Sequence, residues 1–277
     1  MLQKSYSKEM MLKPIVKYQG GKSKELKIIQ GYNLENYSRI IEPFCGGAAV
    51  AFHYGKPSLL SDVNWNVINL YKTVADETMY QKLQDKVDET KLLEHDDLEK
   101  LFYKSRDCIN EEWATNEHNI DLAFAYIIVR QLCFSGMERY CKKGKFNVPF
   151  GHYKHFACNL ERGHHDFLNT CIIKYEDAID CLFNVQPGDF MFLDPPYLDR
   201  LGYSSGMGRN DLHEELAIFL DTVENHWLLI HCDDEYYREK YQKYKIVTKD
   251  FLYSQRWGGK EKDHSKASVN HLYISNF

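Results

Sequence analysis

The chain has 277 residues, 44% of them hydrophobic, and a formal net charge of −5. That length holds one large domain, or one domain with a sizeable insertion, and the composition is that of a globular protein. No apolar run approaches membrane-spanning length, and the acidic balance excludes a uniformly basic surface while leaving room for a local basic patch.

The first residues, Met1-Leu2-Gln3-Lys4-Ser5-Tyr6, lack an apolar signal core, so a cytoplasmic location is expected. Eight cysteines are scattered without a CxxC pair and read as buried small apolar residues. Cys158, His164, His165 and Cys171 are candidate zinc ligands, but their spacing matches no familiar knuckle or ribbon, and no metal is expected.

In chain order, Gly20-Gly21-Lys22 precedes a short helix carrying Leu26, Ile28 and Ile29; such a turn suits an anionic group, though it lacks the spacing of a P-loop. Arg39 to Val50 reads as a strand, a tight turn at Gly46-Gly47 and a helix of small residues, which lets backbone approach a ligand closely. The GxGxxG phosphate fingerprint is absent, which disfavours a dinucleotide. A second strand, Ser58-Leu59-Leu60-Ser61, ends at Asp62, where an acid can hydrogen-bond ribose hydroxyls. Asn64 or Asn66 caps the helix that follows.

From Asp76 to Asp121 the pattern is that of acidic amphipathic helices with a solvated face. Between Arg130 and Lys154 the polarity reverses: six basic residues stand against Glu138 alone, with Phe134, Tyr140, Phe146, Phe150 and Tyr153 interleaved. Lys142-Lys143-Gly144-Lys145 predicts a turn between strand-like flanks. A protruding basic and aromatic hairpin suits phosphate contact with some reading of base edges, or is an ordinary solubilising hairpin.

Cys171 to Tyr175 predicts a further strand, and Pro187-Gly188-Asp189 a turn into Phe190-Met191-Phe192-Leu193-Asp194-Pro195-Pro196-Tyr197. That octapeptide reads as a buried strand stopped by two prolines that cannot donate to a ladder. It presents a carboxylate, a carbonyl and an aromatic ring on a stiff turn at a strand's carboxyl end, where open α/β sheets bind ligands. Two acceptors side by side suit an exocyclic amine, and the ring offers a face to a flat base. The plain alternative is a strand end with a capping acid.

Leu198 to Arg209, rich in glycine, is expected to be a loop that closes over substrate. Asp211 with Glu214 resembles a capping box for a helix to about Asn225. Trp227 to Cys232 predicts a buried strand, and Ala267 to Ser275 a final alternating one. The alternation of strands and helices predicts a mostly parallel, doubly wound α/β sheet.

With Lys17-Tyr18-Gln19-Gly20-Gly21-Lys22, Glu42-Pro43-Phe44-Cys45-Gly46-Gly47, Asp62-Val63-Asn64, Gly144 to Gly151 and Asp194-Pro195-Pro196-Tyr197 in that order, the chain resembles the Dam-like family of DNA adenine-N6 methyltransferases from Lys17 to Asn276. The resemblance implies an α/β Rossmann-like methyltransferase sheet with helices on both faces. It places an S-adenosyl-L-methionine-binding catalytic domain at 1–75 and 170–277, with an inserted helical and β-hairpin target-recognition domain at 76–169. The catalytic residues it implies are Asp194, Pro195, Pro196 and Tyr197.

Tyr18 and Lys22 would lie near the cofactor's methionine end, with Phe44, Gly46 and Asp194 lining its pocket. Asp62 would hold the ribose, and Asp177 with Ala178 the adenine. Lys17, Arg139 and Pro149 match base-reading positions; Met137, Phe134, Asn147 and Tyr153 are further DNA-side residues. Ser135 stands where the family commonly has an asparagine, so a contact from that amide is lost. The implied partner is double-stranded DNA, with GATC the best-known target and no obligate protein partner indicated. The open alternatives are the same chemistry on RNA adenine or on the cytosine amine, and a cofactor- and DNA-binding protein without turnover.

Overall fold

Five strands, β1 (Arg39–Glu42), β2 (Ser58–Asp62), β3 (Ile172–Tyr175), β4 (Asp189–Leu193) and β5 (Trp227–Cys232), lie parallel in the computed structural model, which describes residues 11–111, 118–197, 209–252 and 268–277. β7 (Ser268–Ser275) runs antiparallel to both β5 and β6 (Lys245–Leu252), and the sheet order is β3-β2-β1-β4-β5-β7-β6. The apolar strand sequences follow from cover on both faces. Side chains of alternate residues feed different cores: Ile40, Phe190, Phe192 and Leu228 pack on one side, Ile41, Met191, Leu193 and Leu229 on the other. This is the mostly parallel α/β sheet that the alternation of elements predicted, in the Rossmann-like arrangement that the resemblance implied.

The winding reverses between β1 and β4. β2 follows β1 on one side and β5 follows β4 on the other, so the carboxyl ends of β1 and β4 open a crevice between diverging connections. Helix α1 (Leu26–Ile29) precedes β1; α2 (Ala49–Tyr54) follows the glycine turn; α3 (Trp65–Ala75) follows β2, capped by Asn64, whose side chain accepts from the Asn66 N–H at 3.1 Å.

Helices α4 (Glu77–Thr90), α5 (His95–Ile109), α6 (Ile120–Leu132) and α7 (Arg162–Leu168) come before β3. Leu83, Phe102, Ile127, Phe150 and Phe167 share one core with Phe52, Leu60 and Val67, so the 76–169 segment is fused to the sheet through continuous packing. Helices α8 (Ala178–Leu182), α9 (Arg209–Thr222) and α10 (Glu235–Lys240) complete the chain.

The structure corrects several local expectations. The hairpin flanks form no ladder: isolated bridges join Tyr140 to Phe146 and Cys133 to Phe150. The Asn110 side chain occupies both backbone groups of Phe146, at 2.7 and 3.0 Å, and Pro149 has no N–H to offer. α9 opens at Arg209, ahead of the expected cap at Asp211, and ends at Thr222. β6 and α10 were not expected. His164 and His165 face the Lys13 and Val74 carbonyls at 2.8 and 2.9 Å, and no group of three candidate metal ligands exists among the described residues. The expected closing loop lies outside the described residues from Leu198 to Gly208. No described helix is long and apolar enough to cross a membrane.

Candidate active site

Every residue of β4 is buried, and the chain leaves it at Asp194 to enter Pro195-Pro196-Tyr197. Across the crevice, β1 ends in Glu42 and turns through Pro43 to Gly47 into α2. Gly46 has φ +43°, and a Cβ there would stand 2.7 Å from the Tyr18 ring. The glycine therefore lets Tyr18 lie directly on the turn. A cavity of 360 Å³ joins the two strand ends; Asp194, Pro195, Pro196 and Tyr197 line one wall, and Phe44, Gly46, Gly47 and Asp62 the other. That volume suits a small-molecule ligand.

The charges in this cavity are placed by backbone and by one another. Asp62 accepts from the Gly46 N–H at 2.9 Å and the Asn64 N–H at 2.8 Å; burial nevertheless raises its carboxyl to about 6. Glu42 accepts from the Ala51 N–H at 2.6 Å, and burial raises it to about 8, so it is neutral at pH 7. The Lys22 ammonium, 3% exposed, donates to Asp194 Oδ2 at 2.5 Å and to the Gly20 carbonyl at 2.9 Å. Burial raises the Asp194 carboxyl while Lys22 opposes the rise. The anion expected beside Gly20-Gly21-Lys22 is thus Asp194 itself.

Tyr197 is held from below. The rings of His231 and His271 stand in T-shaped contact with its ring at centroid distances of 4.8 and 5.9 Å, and its hydroxyl lies 3.4 Å from His271 Nε2. His271 Nδ1 faces Glu25 Oε2 at 3.0 Å, and the Tyr273 hydroxyl donates to the same oxygen at 2.5 Å. Burial works to raise the Glu25 carboxyl, but its hydrogen bonds and the nearby Lys22 hold it below the usual range.

The structure brings Tyr18, Lys22, Phe44, Gly46, Asp62 and Asp194 to Tyr197 onto one cavity. It does not bring Asp177 and Ala178 there: Asp177 accepts from the Ile179 N–H at 2.9 Å as the cap of α8, and Ala178 is buried in that helix. Lys17, Ser135 and Tyr153 line a neighbouring groove, where the Lys17 ammonium sits 4.2 Å over the Tyr153 ring. Phe134 is half exposed on a 3-10 turn, and Met137 is partly buried.

Beyond them, Lys145, Asn147 and Pro149 point outward while Phe146, Val148 and Phe150 point in; Arg139 donates to Asn147 Oδ1 at 2.7 Å. Of the six basic residues between Arg130 and Lys154, Arg130 is fully buried and lies 3.6 Å from Glu138, so the five others are the exposed cations. The sequence reading missed Glu25, His271 and Glu138 as neighbours of the site. Their only signal in sequence is a charged or polar type; Glu25 and His271 pair across the whole chain, whereas Glu138 meets Arg130 and Tyr140 within its own turn.

Fold and cavity together define an α/β enzyme of the Rossmann-like methyltransferase class. The family model for the D12 class N6 adenine-specific DNA methyltransferases matches residues 18–255, and the chain belongs to that family. It is 34% identical to the type II methyltransferase M.CviBI of Paramecium bursaria Chlorella virus NC1A, over 96% of this chain and all of that one. It is 31% identical to the type II methyltransferase M.MjaIII of Methanocaldococcus jannaschii, over 68% of this chain and 70% of that one. It is 27% identical to the DNA adenine methylase of Escherichia coli K12, over 66% and 64%.

Proposed function

We propose that this methyltransferase moves the methyl group of S-adenosylmethionine to N6 of an adenine extruded from duplex DNA; GATC is the first target to test, on the resemblance alone. The observation that carries the reading is the shared cavity joining Asp194-Pro195-Pro196-Tyr197 to the glycine turn and Asp62. Its charges suit a cationic ligand: among its described lining residues Asp62, Glu138 and Asp194 face the Lys22 ammonium, and Glu42 is neutral. When bound, the cofactor supplies an electrophilic methyl group on a positively charged sulfur.

An adenine amine cannot be reached inside the stack, so the base leaves it. Lys22 occupies Asp194 Oδ2, leaving Oδ1 to accept one N–H of the amine while the Pro195 carbonyl accepts the other. Fixing both N–H directions aims the nitrogen lone pair away from the two acceptors, towards the cofactor side. The nearby carboxylate stabilises positive charge that develops on nitrogen, and positioning supplies much of the rate. Tyr197, buttressed by two imidazole rings, offers a fixed wall for the purine. Lys17, Arg139, Asn147 and Pro149 form the base-reading surface beside the groove, with Phe134, Met137 and Tyr153 next to them.

The test is a single-turnover reaction with methyl-labelled S-adenosylmethionine and duplex DNA, followed by nucleoside analysis. Label in N6-methyladenine is expected. Label on the cytosine amine, or on RNA alone, overturns the acceptor; binding of both ligands without transfer overturns the enzymatic reading of this site.

A further inference from the structure

Resting on that cofactor reading, the geometry points to Glu138 as a further cofactor-binding residue, whose carboxylate accepts a hydrogen bond from the α-ammonium at the amino-acid end. Its side chain is 4% exposed and lines the cavity, and Oε2 has no hydrogen-bond partner among the described residues. The surroundings explain why. Arg130 stands 3.6 Å from Oε2 without hydrogen-bonding to it, and three of its N–H groups donate to the carbonyls of Lys17, Met137 and Gly136. The Tyr140 hydroxyl donates to the other oxygen, Oε1, at 2.8 Å. Oε2 therefore feels an opposite charge yet receives no donor, a costly state for a buried carboxylate.

Among the donors the cofactor carries, the ammonium fits this position. The Glu138 N–H donates to Gln19 Oε1 at 2.6 Å, tying it to the Tyr18–Lys22 segment, while Asp62 stands at the ribose position. Glu138 also contributes repulsion that raises Asp62, so a cation between them relieves both.

The test is calorimetric titration of wild type, Glu138→Gln and Tyr140→Phe with S-adenosylhomocysteine and with 5′-methylthioadenosine, which keeps the nucleoside but has no amino-acid end. Glu138→Gln is expected to weaken S-adenosylhomocysteine by about 10- to 100-fold and to leave methylthioadenosine within about twofold. Unchanged affinity for S-adenosylhomocysteine, or equal loss for both ligands, overturns the assignment. Wild type that binds neither ligand overturns the cofactor reading instead. Should Glu138→Gln fail to fold, Tyr140→Phe carries the test: a loss of about threefold or more confined to S-adenosylhomocysteine supports the assignment, and no loss overturns it.

Discussion

The corner after β4 and the hairpin after α6 solve opposite problems. At the corner the side chains are held by partners from distant parts of the chain, Asp194 by Lys22 and Tyr197 by His231 and His271, while Asp62 across the cavity is held by nearby Gly46 and Asn64 backbone. In the hairpin, buried Phe146, Val148 and Phe150 hold the backbone while Lys145, Asn147 and Pro149 face solvent. Substituting an outward residue leaves the anchoring residues untouched, whereas any change at the corner disturbs several partners. On the proposed function, chemistry is therefore locked and target choice adjustable, within one continuous core.

Asp194→Ala is expected to break the corner alone: methyl transfer falls by about 1,000-fold or more, while S-adenosylhomocysteine affinity stays within about threefold. Single-turnover kinetics and calorimetry on the same preparation check both halves. Activity within tenfold of wild type removes the role proposed for Asp194.

Phe150→Ala attacks the hairpin from beneath. Phe150 is 1% exposed and its ring lies 5.6 Å from that of Phe102. The expected loss is about 3–5 kcal/mol in urea denaturation, with DNA affinity reduced. A loss below about 1 kcal/mol shows that the hairpin is anchored elsewhere.

Acid separates the two regions by a different route. Asp62 in the free protein has its carboxyl raised to about 6, against an ordinary value of 3.8. Below pH 6 it takes up a proton and the charged acceptor is lost, so S-adenosylhomocysteine affinity falls by up to about tenfold per pH unit towards pH 5. The stability term has the opposite sign: the folded state binds more protons between 3.8 and about 6, so this group's stabilising contribution declines as pH rises through that window. Asp62→Asn flattens the affinity profile; an unchanged profile in that variant contradicts the assignment.

Lys145→Ala has the smallest expected effect. It removes one exposed cation from the hairpin, so DNA binding weakens by a similar factor for all sequences and the salt slope falls by about 1. A change confined to one target base reassigns Lys145 from phosphate contact to base reading.

The strands that carry the site were legible because two-sided burial makes them apolar runs, as in Phe190 to Leu193 and Trp227 to Cys232. β6 was not, since it lies at the sheet edge and its Lys245-Ile246-Val247-Thr248-Lys249-Asp250 segment keeps exposed charges. The acid and prolines of the corner were legible because their backbone chemistry is local. What escaped was which charges pair: Lys22 with Asp194 and Glu25 with His271 across the chain, and Arg130 with Glu138 around a nearer turn. In sequence these residues look like solvated charges, and only the fold brings each beside its counterpart. Asp177 shows a role that is local, since its side chain accepts from the Ile179 N–H as the cap of α8.

The most direct test of the central claim is a crystal structure with a non-reactive cofactor analogue and a target duplex. The account predicts an adenine outside the helix, its N6 at hydrogen-bond distance from the Asp194 carboxylate and the Pro195 carbonyl, and its ring against Tyr197. A target adenine still stacked in the duplex, with Asp194 and Pro195 contacting no base, contradicts it.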